Sequence, residues 1–277
     1  MRKGLGVLIV LAASVGAAAT GSADATVESK TQVQFGGAMG GLLNSLGKKT
    51  SQAGVLGTMT VKGDRRLALS GDRGEIIDLA EEKIYRLNFV TKTYTVETFE
   101  QRRKRAKDRP ETAGGQAGEF DVDYSVKETG QKQSINGFET RQMVATVAVR
   151  PKGRTPEQGG GAVLTAEMWV GPRLPPVREL EAFNRRYYQK LYGKLYTGET
   201  VPADMLLASA PAFGVAMKRL QENKEKLDGT PVRTVIKFDA DGPSGGPGVN
   251  LFSATNEVMK ASAASGDVAI PAGFSRK

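Results

Sequence analysis

The chain has 277 residues, 39 Lys and Arg against 30 Asp and Glu, one Trp, and neither His nor Cys. The two absences exclude His-based general acid/base chemistry, thiol nucleophiles, Cys or His metal centres and disulfides. A net charge of +9 reads first as charge kept for solubility; on a chain that is exported it would point to anionic phospholipid head groups, lipopolysaccharide phosphates or wall polymers rather than nucleic acid.

Export is read from the first residues. Arg2 and Lys3 precede an apolar run from Leu5 to about Ala19, and Ala23-Asp24-Ala25 follows. These are the three regions of a secretory signal, with cleavage expected after Ala25 and the protein expected in the periplasm or outside the cell. The run is too short and too rich in Ala and Gly to favour a retained membrane span. Residues 26–277 are expected to form a single β-rich domain. Without disulfides it must hold by packing alone.

From Thr26 the apolar residues recur mostly with the period of strands. Residues 26–35 alternate around Val27, Val33 and Phe35, and residues 58–79 break at Gly63 and Gly71 into two or three short strands. Residues 76–96 read as a meander of three strands and two tight turns. In it Tyr85, Leu87 and Phe89 share one face, and Tyr94 and Val96 share a face of the next strand. A short basic helix over 99–108 links this block to a second one. There Phe120, Val122, Tyr124 and Val126 lie on one strand face, and Asn136-Gly137 is a hairpin signal because both turn positions need positive φ. Met143, Ala145, Val147 and Val149 share the face of the following strand, and residues 162–172 and 230–240 supply two more strands. Two helical passages intervene. The first carries Val177, Leu180, Tyr187, Leu191 and Leu195 at helical spacing. The second begins with Ser209 as cap and Pro211 in the first turn, buries Phe213, Met217, Leu220 and Leu227, and closes at Gly229. Four Gly-rich insertions, at 36–54, 110–119, 151–161 and 240–249, punctuate the domain without dividing it.

The meander of residues 57–96, with its Asp-bearing turn, its Tyr-x-Leu segment and its strand ending in Thr-Val, resembles the front half of the periplasmic lipoprotein-carrier family typified by LolA. The segments "INGFETRQMVATV", "AEMWVG" and "VAIPAGF" resemble a family of exported bacterial proteins of unassigned function related to that carrier group. The likeness covers most of the chain after the leader. It implies a mainly β (α+β) fold in which a bent antiparallel sheet forms an incomplete β-barrel under two or three helices, with acyl chains held in an apolar cavity. On that reading the tyrosines of the meander face the cavity or brace its lid. A likeness of this kind transfers fold better than function.

The motifs for catalysis and metals fail on spacing. Residues 41–49 resemble a phosphate loop with one residue too many and Lys49 where Ser or Thr should stand. Residues 239–250 resemble a calcium loop with Ser244 and Asn250 where Gly and Glu are needed. Asp121 and Asp123 share a strand face and read as a solvated face rather than an acid/base pair. No cofactor, no metal and no enzymatic activity are expected.

Three features remain. Arg102, Arg103, Lys104 and Arg105 begin a dense basic run, read equally as a solvated helix turn and as a contact for an anionic envelope surface. Met39, Leu42, Leu43 and Leu46 sit in Gly-rich chain, read equally as an insertion without fixed structure and as a flap over an apolar opening. Four of the seven tyrosines fall between 187 and 196; Tyr188, Tyr192 and Tyr196 form a face offset from Leu191 and Leu195. Such stripes are usually core. As ligand wall, Tyr188 and Tyr192 are expected to border a cavity whose far side includes Tyr85, Leu87 or Phe89. The expected function is non-catalytic binding of an apolar or amphipathic ligand, a lipid or an acylated protein. The alternative is a structural or interaction protein of the envelope with a self-filled core and a basic docking surface. Oligomeric state is not legible.

Overall fold

The computed structural model describes residues 24–37, 54–107, 119–155, 158, 160–192, 211–223, 228–241, 248–264 and 266–277. In chain order these form β1 (Ala25–Phe35), β2 (Val55–Lys62), β3 (Arg65–Ser70), β4 (Arg73–Asp78), β5 (Lys83–Asn88), β6 (Thr93–Thr98) and α1 (Phe99–Lys107). Then come β7 (Phe120–Ile135), β8 (Phe138–Pro151), β9 (Ala162–Gly171), α2 (Pro175–Tyr192), α3 (Pro211–Glu222), β10 (Thr230–Ala240), β11 (Val249–Ala263) and β12 (Ser275–Arg276). The fold is mainly β, with a large open sheet and three helices among the described residues. Ala25, the last residue of the expected leader, is the first of β1 and is buried between Val61 and Ala263.

One sheet of 12 strands runs in the order β12-β6-β5-β4-β3-β2-β1-β11-β10-β9-β8-β7, antiparallel except for β12 beside β6. Its ends do not meet. A strongly twisted sheet of this width curls rather than staying flat, and one contact measures the curl. Asn136, at the tip of the β7–β8 hairpin, donates its side-chain amide to Glu257 Oε1 at 2.9 Å and to the Val258 carbonyl at 3.0 Å, both on β11. In the sheet order β10 and β9 separate β8 from β11, a flat separation of roughly 14 Å at the usual strand spacing. The tip of the hairpin is therefore drawn back toward β11, and Ile135 and Phe138 join the core cluster in which α2 packs on Val258, the face referred to as concave.

The turns of the meander explain its tightness. β4–β5 and β5–β6 are joined by four residues each, and Glu82 (φ 52°) and Lys92 (φ 50°) take the left-handed position that closes the loop. A short polar side chain at the end of each preceding strand accepts the loose amides: Asp78 Oδ1 from Glu81 N at 2.8 Å, and Asn88 Oδ1 from Val90 N and Thr91 N at 3.0 Å. α1 begins with a reciprocal cap between Thr98 and Gln101, at 3.1 and 2.9 Å.

α2 crosses the strands along one end of the concave face. Its first turn tolerates Pro175 and Pro176 because those positions have no intrahelical acceptor to satisfy. Leu180, Phe183, Asn184, Tyr187 and Leu191 form its buried stripe, packed on Val27, Val61, Ile77, Ile84 and Val258. α3 covers the same face over β7, β8 and β9, where Phe213 meets Phe238 and Phe252 edge-on at 5.1 and 5.9 Å. Its described span ends at Glu222 rather than running to Gly229: Asn223 turns back and donates to the Arg219 carbonyl at 2.9 Å. Ser209, Leu195, Tyr196 and Leu227 lie outside the described residues. On the convex face the C-terminal segment straps β3 to β6, with Val268, Ile270 and Phe274 packed on Leu67, Ile76, Tyr85, Leu87 and Tyr94.

Glu257 anchors the curl. Burial pushes its carboxyl up, but hydrogen bonds from Arg233 (2.6 Å) and Asn136 outweigh burial and hold it below the usual range. A depressed folded value contributes stability that is present above the unfolded carboxylate range, near pH 4.3, and lost as pH falls through the lower folded value. Glu257→Gln is thus expected to destabilise at pH 7 and to remove part of the acid-induced loss below about pH 4, measured by denaturant midpoints across that range.

Candidate functional site

The concave face has three zones, set by what covers it. α2 lies along one end, and α3 lies over β7 to β9. Among the described residues, nothing covers the quadrant over β1 to β5, away from α2. It holds an open groove of about 460 Å³, within the range of small-molecule sites.

The strand register shows why the groove exists. Along the inner face, Ser29 stands opposite Gly57, Gly57 opposite Ser70, and Met59 opposite Ala68. Small side chains on three neighbouring strands leave a trough. Val55, Met59 and Ala68 make it apolar, and Ser29, Thr31 and Ser70 bring hydroxyls. The far wall is charged, because the next inner positions on β4 and β5 are Arg73, Glu75 and Arg86. The groove is therefore amphipathic: a narrow apolar floor under a polar wall.

Between groove and helix the same face carries a compact ionic cluster. Glu97, buried on β6, accepts from Arg86 at 2.7 Å and from Arg105, and lies 3.8 Å from Arg102. Glu75 pairs with Arg66 at 3.6 Å and with Arg86 at 3.7 Å. Arg66 also donates to Asn184 of α2 and lies over the Phe183 ring at 5.8 Å, with Arg186 over that ring at 5.5 Å. Tyr187 is buried against Phe99, and that burial pushes its phenol far above the usual range. Among the described residues, Arg73 has no carboxylate partner. No group of three acidic side chains there is placed to hold a metal.

The expected ligand wall does not assemble. Tyr85 and Leu87 turn their side chains to the other face, where Leu87 is buried beneath Val268 and Tyr85 lies 6.3 Å from Tyr94, and of the expected wall Leu87 alone is also among the residues that line the groove. Phe89, in the turn after β5, meets Phe274 edge-on at 5.3 Å. Tyr188 and Tyr192 belong to α2 on the opposite face: Tyr188 stacks on Tyr187 at 4.8 Å, and Tyr192 is 38% exposed beside Arg102. The sheet stands between the two sets. The aromatic face of the meander is used to hold the C-terminal strap.

The basic run is also spent differently from expectation. Arg102 and Arg105 face Glu97, and Arg103 lies 3.8 Å from Glu82 while donating to the Lys190 carbonyl at 3.3 Å. Three of the four cations thus tie α1 to β6 and α2, and only Lys104 remains exposed without a partner among the described residues. The Leu-rich stretch 38–53 and Arg109 lie outside the described residues. The groove residues were missed because alternation tells which side chains share a face, not which face the helices cover. One signal was present: the apolar tail "VAIPAGF" needs a partner surface, and the aromatic face of the meander offers one.

Compared with known proteins, the chain matches no protein-family model and no curated protein.

Proposed function

We propose that this is a non-catalytic binding protein of the cell envelope, exported by its N-terminal leader, that takes an apolar or amphipathic ligand such as a lipid or an acyl-bearing protein. The observation that carries the reading is the amphipathic groove on the concave face, which neither α2 nor α3 covers. A curled open sheet with a helix across its concave end accords with a LolA-like half-barrel. Burying a chain there gains about 0.8 kcal/mol per methylene, but a bilayer offers nearly the same, so selectivity must come from the polar wall.

A second reading is favoured by the core itself. Phe183, Tyr187, Leu191 and Phe213 fill the space under the helices with the chain's own side chains. On that reading the protein is a structural or docking element and the groove is only surface. A plug separates the two. Ala68 is half-buried on the groove floor, so Ala68→Phe fills the trough without disturbing the helix contacts. Binding of a fluorescent fatty-acid probe is expected to fall at least about tenfold, with the denaturant midpoint nearly unchanged, because surface substitutions stay within about 0.5 kcal/mol. Undiminished probe binding by the variant would contradict the groove reading.

A further inference from the structure

We propose that the groove selects a single-chain amphiphile with an anionic head group, held at Arg73. The inference rests on the reading of the groove as a ligand site and adds the chemistry of its ligand.

Charge complementarity carries it. The concave face beside the groove bears five guanidiniums, on Arg66, Arg73, Arg86, Arg102 and Arg105, against two carboxylates, on Glu75 and Glu97. Four of those arginines are committed. Arg66 and Arg86 hold Glu75, while Arg86, Arg102 and Arg105 surround Glu97. Glu75 lines the groove, but two guanidiniums already offset its charge. Arg73 is left over. It is exposed and lines the groove, stands opposite Ser70 and Asn88 on its neighbouring strands, and has no acidic partner among the described residues.

The remaining geometry orients the ligand. Arg73 marks the polar wall on β4, and the apolar floor of Met59 and Ala68 lies toward β2 and β3. A chain on that floor brings its head group to Arg73, whose planar fork donates bidentately to a carboxylate or a phosphate monoester. Ser70 adds a hydroxyl donor on the same face. A neutral head group leaves Arg73 as it was, and a cationic one meets the net positive charge of the wall. Arg73 is exposed, so the pair is not fully desolvated and the preference is modest and screened by salt.

The test is competition for the fluorescent fatty-acid probe by dodecanoate, dodecyl phosphate, dodecanol and dodecyltrimethylammonium, each below its micelle concentration. Wild type is expected to release the probe at about tenfold lower dodecanoate or dodecyl phosphate than dodecanol, the scale of one charge-assisted hydrogen bond. The trimethylammonium compound should be weakest, and added salt should narrow the spread. Arg73→Gln should bring the two anions level with dodecanol, and Arg73→Lys should keep most of the preference. Dodecanol competing as well as the anions in wild type, or an unchanged preference in Arg73→Gln, overturns the inference while leaving an apolar groove standing. A wild type that does not bind the probe overturns both, and an Ala68→Phe variant that binds it fully places the ligand elsewhere.

Discussion

Phe183→Ala is expected to lower the unfolding free energy by about 3–5 kcal/mol, the range for truncating a fully buried aromatic. Its ring is 0% exposed, packs in the stripe that α2 sets into the concave face, and lies beneath both Arg66 and Arg186. Removal opens a cavity at the centre of that contact and takes away two cation–π partners. Tyr192→Ala, on the same helix but 38% exposed, should cost only about 1 kcal/mol, as for a rim residue away from the core. Urea midpoints at constant m-value measure both. Equal losses in the two variants would mean that α2 is seated differently.

The second large effect is expected at Glu97. Glu97→Gln keeps the shape and removes the charge that Arg86, Arg102 and Arg105 surround. Breaking a buried pair by deleting one partner costs about 3–5 kcal/mol. Arg86 and Arg105 keep 41% and 57% of their side chains exposed and can turn to water, so about 2–3 kcal/mol is expected here. The loss should fall on the α1–β6 junction, raising hydrogen exchange in 97–105 above that in β8 and β9. Arg105→Gln alone should cost under about 1 kcal/mol, because two guanidiniums remain at the carboxylate.

The legible and illegible parts of the fold divide on physical grounds. The meander could be read because its turns carry their own chemistry, Gly63, Gly71, Asp78 and Asn88, and because β-branched and aromatic residues alternate between them. β8, β9 and β10 could be read for the same reason. β11 could not, although it is 15 residues long and central in the sheet. Its inner positions are Ala254, Asn256 and Ala261 beside Phe252 and Val258, and small or polar residues there give no alternation to detect. Phe183 and Asn184 in the buried stripe of α2 were missed because the tyrosines drew attention to a neighbouring face. The groove was hidden for a related reason: it is made by what is small, Ser29, Gly57, Ala68 and Ser70, and the pattern of large residues is silent about where a sheet is thin. The basic run was visible as charge, but its pairing with Glu97 and Glu82 depends on how β6 and α1 meet.

The central claim is that the concave groove carries an amphipathic ligand. Native mass spectrometry of protein purified from its own source, followed by lipid extraction, tests it most directly. A bound species released on denaturation, amphipathic and anionic, is expected in wild type and should be absent from Ala68→Phe prepared in the same way. Wild type that emerges at its bare polypeptide mass, or a ligand retained equally by the plugged variant, would contradict it.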